Sequence, residues 1–192
     1  DIAWHTRHVS RFMAEAQLKA QTPQTLVRAR MSPWEEGLEV MVYTPDQSDL
    51  FARICGYFDQ AGFSILDARI HTARNGYALD TFQLIAPNLS EHYRELITMI
   101  ETGLTRTLQQ AGPLPPPSRG RVSRRVKSFP VTPRVSLQPD EKAQHWLLSV
   151  SASDRTGLLY SIAQVLARNH INLKLAKIST LGERVEDTFL ID

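Results

Sequence analysis

The residues with the most chemistry to offer gather at one short turn, "ASDRTGLL", residues 152–159. Asp154 and Thr156 each carry a side-chain oxygen that can cap a helix. Gly157, having no Cβ, lets another group come close to the backbone. Leu158 opens the apolar run that follows. Free N–H groups at a helix start, together with the helix dipole, favour an anion there. Asn172, at the start of the next extended segment and expected beside the turn, offers a donor and an acceptor on one side chain. Such a corner suits a small zwitterion, its carboxylate on the helix start and its ammonium near Asp154 or a carbonyl. The alternative is that Asp154 only caps and Gly157 only permits tight packing, and the residues leave both open.

The same layout occurs earlier, in "TPDQSDLFARICGYFDQAGFSILDARIHTA" from Thr44. Asp46, Leu50, Ile54, Ile70 and Thr72 stand 108 positions before Asp154, Leu158, Ile162, Ile178 and Thr180, and after the next turn Asp80-Thr81-Phe82 stand 107 before Asp187-Thr188-Phe189. A one-residue change at a turn is what an internal repeat shows. The weaker, first-copy candidates are therefore Asp46, Gln47, Ser48, Asp49 and Ser64. Asp49 falls where the later turn has Gly157, and a carboxylate at a helix start repels a ligand carboxylate. The first copy is expected to bind differently, or to pair with the second and complete its pocket.

Other reactive residues carry less. His5 and His8 lie one helical turn apart, but no carboxylate or cysteine completes a metal set, so no metal is expected. His71, His92, His145 and His170 show no ligand spacing. Cys55 borders the apolar side of an expected helix, where a small buried hydrophobe fits better than a nucleophile. No Gly-rich phosphate loop, nucleophile elbow or His-Asp dipeptide is present, and no catalytic residue is assigned. Between the copies, "GPLPPPSRGRVSRRVKSFPVTPR" has no acidic residue and carries Arg119, Arg121, Arg124, Arg125, Lys127 and Arg134. Composition favours a solvated, semi-rigid linker over 112–132. The competing reading is a dock for an acidic partner or nucleic acid, but only Phe129 could stack on a base, so nucleic acid is not the expected partner.

The elements that must position the turn follow from periodicity. "LEVMVYT" reads as a strand, and Asp46 or Ser48 can cap a helix that places Leu50, Phe51, Ile54, Phe58 and Ala61 on one face before Gly62 stops it. "FSILDARIHTA", Asn75-Gly76 and "YALDTFQLIA" make a hairpin. A helix after Pro87, with a possible cap at Ser90, places Tyr93, Ile97, Ile100, Leu104 and Leu108 on one stripe. This β-α-β-β-α order needs one more strand to complete a ferredoxin-like α+β sandwich, and "PRVSLQ", within 133–139, is expected to supply it. In the second copy "QHWLLSVSA" is a strand. A helix then turns Leu158, Ile162, Val165 and Leu166 inward, and "INLKLAKISTL" and "RVEDTFLI" form a hairpin at Gly182-Glu183. That copy, 144–192, is expected to be cut after its third strand, leaving a bare sheet edge.

Composition agrees with a soluble globular protein. A chain of 192 residues with 42% hydrophobic content can form one domain or two small ones. A net charge of +2 argues for no particular partner. The single cysteine fits a reducing, cytoplasmic setting, and no apolar run is long enough for a membrane span or a signal peptide. The chain opens without methionine and is expected to be a piece of a longer protein.

"DRTGLLYSIAQVLARNHINLKLAKIST" resembles the ACT domain, the small-molecule sensing module of amino-acid metabolism. The tandem pair, the Pro and Arg linker and the opening "IAWHTRHV" together resemble the C-terminal region of the bifunctional uridylyltransferase/uridylyl-removing enzyme family. That resemblance implies two ferredoxin-like βαββαβ ACT repeats, at 37–111 with 133–139 and at 144–192, after a helical leader (1–36) from an HD-type domain. It implies nucleotidyltransferase and phosphodiesterase activities upstream, acting on the nitrogen-regulatory protein PII. Mg2+ and an HD-site metal belong to those upstream domains, and no cofactor is expected in this chain. Glutamine is the implied effector, held at Asp154, Arg155, Thr156, Gly157, Leu158 and Asn172, with the ACT repeats paired within or between chains. The alternatives are a sensor of another amino acid on a different enzyme, and an oligomerisation or partner-binding module using the basic linker.

Overall fold

The computed structural model describes residues 2–18, 24–33, 36–85, 89–110, 112–119, 131–142, 144–181 and 183–192. Pro87, Arg121, Arg124, Arg125, Lys127, Phe129 and Gly182 lie outside the described residues. The elements run α1 (Ile2–Leu18), β1 (Leu26–Met31), β2 (Leu38–Pro45), α2 (Leu50–Ala61), β3 (Ser64–Arg69), β4 (Tyr77–Ile85) and α3 (Leu89–Gln109). They continue as β5 (Arg134–Pro139), β6 (Trp146–Ser153), α4 (Leu158–Arg168), β7 (Leu173–Lys177), β8 (Thr180–Leu181) and β9 (Arg184–Ile191). Two antiparallel sheets result, β1-β2-β4-β3 and β5-β6-β9-β7, with β8 on β9. Each carries the ferredoxin-like α+β arrangement.

In the first repeat the expected helix faces are the ones buried. Leu50, Phe51, Ile54 and Phe58 of α2 are enclosed, and Phe58 meets Phe82 of β4 edge-on at 5.5 Å. Gly62 ends α2 in the left-handed conformation, at φ 79°. Ile100 and Leu104 of α3 are fully buried, and the helix kinks at His92. Gly76 takes φ 80° in the expected hairpin, where the Asn75 side chain accepts the Tyr77 N–H. Strand β2 is buried along both faces because α1 covers the side away from α2, with Val9 and Phe12 against Met41 and Tyr43.

Two strand assignments need correction. Residues 1–36 are not all helical, since Leu26–Met31 pairs with β2 and forms the edge of the first sheet. The segment "PRVSLQ" does not close the first repeat either; β5 pairs with β6, Arg134 opposite Ser151 and Leu137 opposite Leu148. A ferredoxin-like sheet needs a fourth strand beside its first, and here each sheet takes that strand from the chain preceding it. The second repeat is therefore not left without its edge strand.

The two edges differ in cover. Helix α3 packs over β1, where the Ala29 N–H donates to Glu101 Oε1 at 3.0 Å, and Val27 is 1% exposed. Val135, its counterpart on β5, is 69% exposed, and no described helix lies over it. Val27→Ala is thus expected to lower stability by about 2 kcal/mol in chemical denaturation. Val135→Ala should change it by less than about 0.5 kcal/mol.

The repeats join side by side through α2 against α4 and β3 beside β7. Gly56 makes the helix approach possible, because a Cβ there would lie 2.8 Å from the Tyr160 ring. One apolar cluster then runs through both repeats, from Phe58 and Phe82 to Tyr160, Ala163 and Phe189. This contact also corrects the expected inner face of α4. Tyr160, Ala163 and Leu166 are buried, while Val165 points outward at 54% exposure.

Candidate functional site

The turn between β6 and α4 opens into a cavity of about 390 Å³ between the repeats. Asp154, Arg155, Thr156, Gly157 and Leu158 form one wall, and Gly62, Phe63, Ser64, Ile65 and Leu66 of the first repeat form the facing wall. Cys55, Asp59, Thr180 and Asp187 complete the lining. The size sits at the lower end of the roughly 300–1,000 Å³ range of small-ligand sites. Three carboxylates, Asp59, Asp154 and Asp187, share the space with one guanidinium, Arg155.

Helix α4 begins at Gly157, at φ 77°, and no side chain caps it. Asp154 and Thr156 therefore do not cap, contrary to the sequence reading, and the Asp154 N–H donates to the Glu183 carbonyl at 2.8 Å. The group that comes close to Gly157 is the connection itself, since a Cβ on Gly157 would lie 2.8 Å from the Ser118 carbonyl oxygen.

Asp187 is 2% exposed, and its Oδ1 accepts the Ser179 N–H at 3.4 Å. Burial pushes its carboxyl up to about 6, with Asp154 adding to the rise and the Ser179 N–H opposing it. Burial also raises the Cys55 thiol well above its usual value, so the cavity holds a neutral thiol and no thiolate nucleophile.

Asn172 stands away from this corner. Trp146 of β6 and Leu173 of β7 both pair with Ile191, so the start of β7 lies at the opposite end of the sheet from Ser153 and the turn. A helix that returns antiparallel to its strands makes this necessary, and the Asn172 amide donates instead to Asp192 Oδ2 at 3.3 Å. Ser64, the counterpart of Asn172 in the first repeat, is the residue that reaches the cavity. The second repeat's turn thus faces the start of the first repeat's strand β3.

The first-copy turn is closed on itself. Asp46 accepts from the Thr72 hydroxyl at 3.2 Å, the Gln47 carbonyl accepts the Leu50 N–H, and Ser48 is exposed. Asp49 is the N-cap position of α2 without a capping bond and pairs with Arg53 at 2.7 Å. A second hollow, about 410 Å³ between α1 and the outer face of the first sheet, has His5, His71 and Arg69 at its walls but no carboxylate. The inter-repeat cavity, by contrast, has both charges that a zwitterion needs, at the candidate turn itself.

Similarity to known proteins covers the whole chain. It is 54% identical over 195 residues to a bifunctional uridylyltransferase/uridylyl-removing enzyme of Cupriavidus pinatubonensis. It is 54% identical over 192 residues to that of Cupriavidus metallidurans and 55% over 196 residues to that of Ralstonia nicotianae. In sequence, the chain is similar to the C-terminal region of these enzymes. All of this chain is matched in each case, and it spans 22% of each relative's length. No family model matches the chain, and no solved structure does.

Within this uridylyltransferase-related region, sequence reasoning found Ser64 on the first-repeat wall but missed Asp187, Asp59 and the rest of that wall. Asp187 carried a readable signal. In "RVEDTFLI" it shares the inward-facing alternation with Val185, Phe189 and Ile191, and a carboxylate at a core position of a strand calls for a reason. Asp80 breaks "YALDTFQLI" in the same way, and it is fully buried.

Proposed function

We propose that this chain is the regulatory, amino-acid-sensing region of a bifunctional enzyme that attaches uridylyl groups to the nitrogen-regulatory protein PII and removes them, and that glutamine is its effector. The tandem ACT-like repeats would bind glutamine in the inter-repeat cavity, and differential affinity for two arrangements of the repeats would bias catalytic domains elsewhere in the protein. The observation that carries this reading is the cavity's charge pattern. Arg155 and the uncapped start of α4 suit a ligand carboxylate, and the buried Asp187 with Asp154 suits an ammonium.

The same pattern argues for glutamine over glutamate. A side-chain amide can bond to the Ser64, Thr156 and Thr180 hydroxyls as donor or acceptor. A second carboxylate would enter a space already holding three. Calorimetric titration of the chain with glutamine, glutamate and serine is expected to give tightest binding for glutamine. Equal or absent binding of all three removes the glutamine assignment. Binding should also weaken as pH falls through about 6, where Asp187 takes up its proton and loses its attraction for the ammonium.

A further inference from the structure

The connection between the repeats is bonded to both of them. Leu114 packs against the shared core. The Pro115 carbonyl accepts two bonds from α4, from the Tyr160 hydroxyl at 2.5 Å and from Gln164 Nε2 at 3.1 Å. The Pro116 carbonyl accepts from Gln60 Nε2 of α2 at 3.1 Å. Ser118 donates its N–H to Asp59 Oδ2, also on α2, at 2.7 Å.

This pattern follows from the residues. Three successive prolines have no N–H to offer and no way to satisfy their carbonyls locally, so an extended proline segment presents carbonyls to outside donors. Ser118 supplies the first N–H after that run, and an acidic side chain takes it. On the other side, Tyr160 and Gln164 are 1% and 5% exposed. Without Pro115 their buried donors would lose the acceptor they now share, which is unfavourable. The strap crosses the junction where Gly56 meets Tyr160, and its Pro117–Ser118 end lies against Gly157 at the cavity.

We propose that Leu114–Ser118 is a clamp that binds α2 and α4 together and holds the two walls of the cavity in register, so that the linker is a positioning element of the site. The clamp stands on its own contacts; only its effect on ligand affinity rests on the glutamine reading above. Two variants of the whole chain loosen it from opposite sides. Replacing Pro115, Pro116 and Pro117 by glycine makes the strap flexible, and Gln164→Leu removes one donor while leaving the prolines intact.

NMR-detected amide exchange should show the Ser118 N–H at least tenfold slower in the unaltered chain than in a free peptide of residues 112–119. Both variants should bring it toward the peptide rate. They should also speed exchange at Phe63 and Leu158, on opposite walls, by threefold or more. Ser118 exchanging at the peptide rate in the unaltered chain overturns the proposal, and so does a freed Ser118 with Phe63 and Leu158 unchanged. If the triple variant does not fold, Gln164→Leu decides by the same criteria. Glutamine affinity should fall at least fivefold in either variant. Absent glutamine binding to the unaltered chain would end the effector assignment alone, leaving exchange to judge the clamp. Unchanged affinity alongside loosened walls would remove the link between clamp and site.

Discussion

Gly157→Val is expected to destabilise the chain by about 3 kcal/mol or more and to weaken glutamine binding at least tenfold. Two effects add. A β-branched residue at φ 77° is held in a left-handed conformation that costs about 1–3 kcal/mol. Its Cβ also meets the Ser118 carbonyl at 2.8 Å and must displace the strap or the start of α4. Gly76→Val is the matched comparison, since Gly76 has φ 80° with nothing near its missing Cβ. Thermal unfolding of both variants separates strain from collision. Equal losses would mean that the approach of Ser118 contributes nothing, and intact binding in the Gly157 variant would remove this turn from the site.

The second large effect is a pH dependence of stability centred on Asp80. Burial raises its carboxyl from 3.8 to about 7, with Asp46 adding and the His71 N–H opposing. One oxygen accepts from His71, and the other, Oδ2, is buried with no hydrogen-bond partner. The folded chain thus holds a proton that the unfolded chain releases near pH 4. Between about 4 and 7 the unfolded state binds fewer protons, so stability falls as pH rises, by up to about 1.4 kcal/mol per unit. Asp187 contributes in the same direction from 3.8 to about 6. Asp80→Asn, which cannot ionise, should raise the Tm by several degrees at pH 8, by roughly a third as much at pH 5 and little at pH 4. A variant whose Tm keeps the original pH slope between 6 and 7 would show that Asp80 does not carry it.

Most helices and hairpins were legible because their signals are local. The spacing of Leu50, Ile54 and Phe58, the stop at Gly62 and the Asn75-Gly76 turn each act within a few residues. Strand partnership was not local. "PRVSLQ" reads as a strand in any context, but nothing inside it says whether β6 or the first sheet will take it. "LVRARM" alternates Val27 and Ala29 with two arginines, a strand pattern hidden behind the helix before it.

The candidate site divides along the same line. Its turn was visible in Asp154–Leu158, where residue types alone suggest an anion and a close approach. Its other wall depends on Gly56 meeting Tyr160 across two repeats, which no periodicity records. Asn172 was misplaced because a strand start was set next to the turn that precedes the helix, whereas the helix carries the chain back to the far end of the sheet.

The edge strands also fix the frame in which this chain is doubled. Leu26 stands to Arg134 as Leu50 stands to Leu158, so the repeating unit begins at β1 and begins again at β5. Copied in that frame, a gene segment brings its own edge strand with it, and the proline strap becomes the tail of the first unit. Neither sheet has to borrow a strand from the other copy. Each unit is then free to drift at its turn, as Asp49 and Gly157 have done, with the ladder of hydrogen bonds in both sheets left intact.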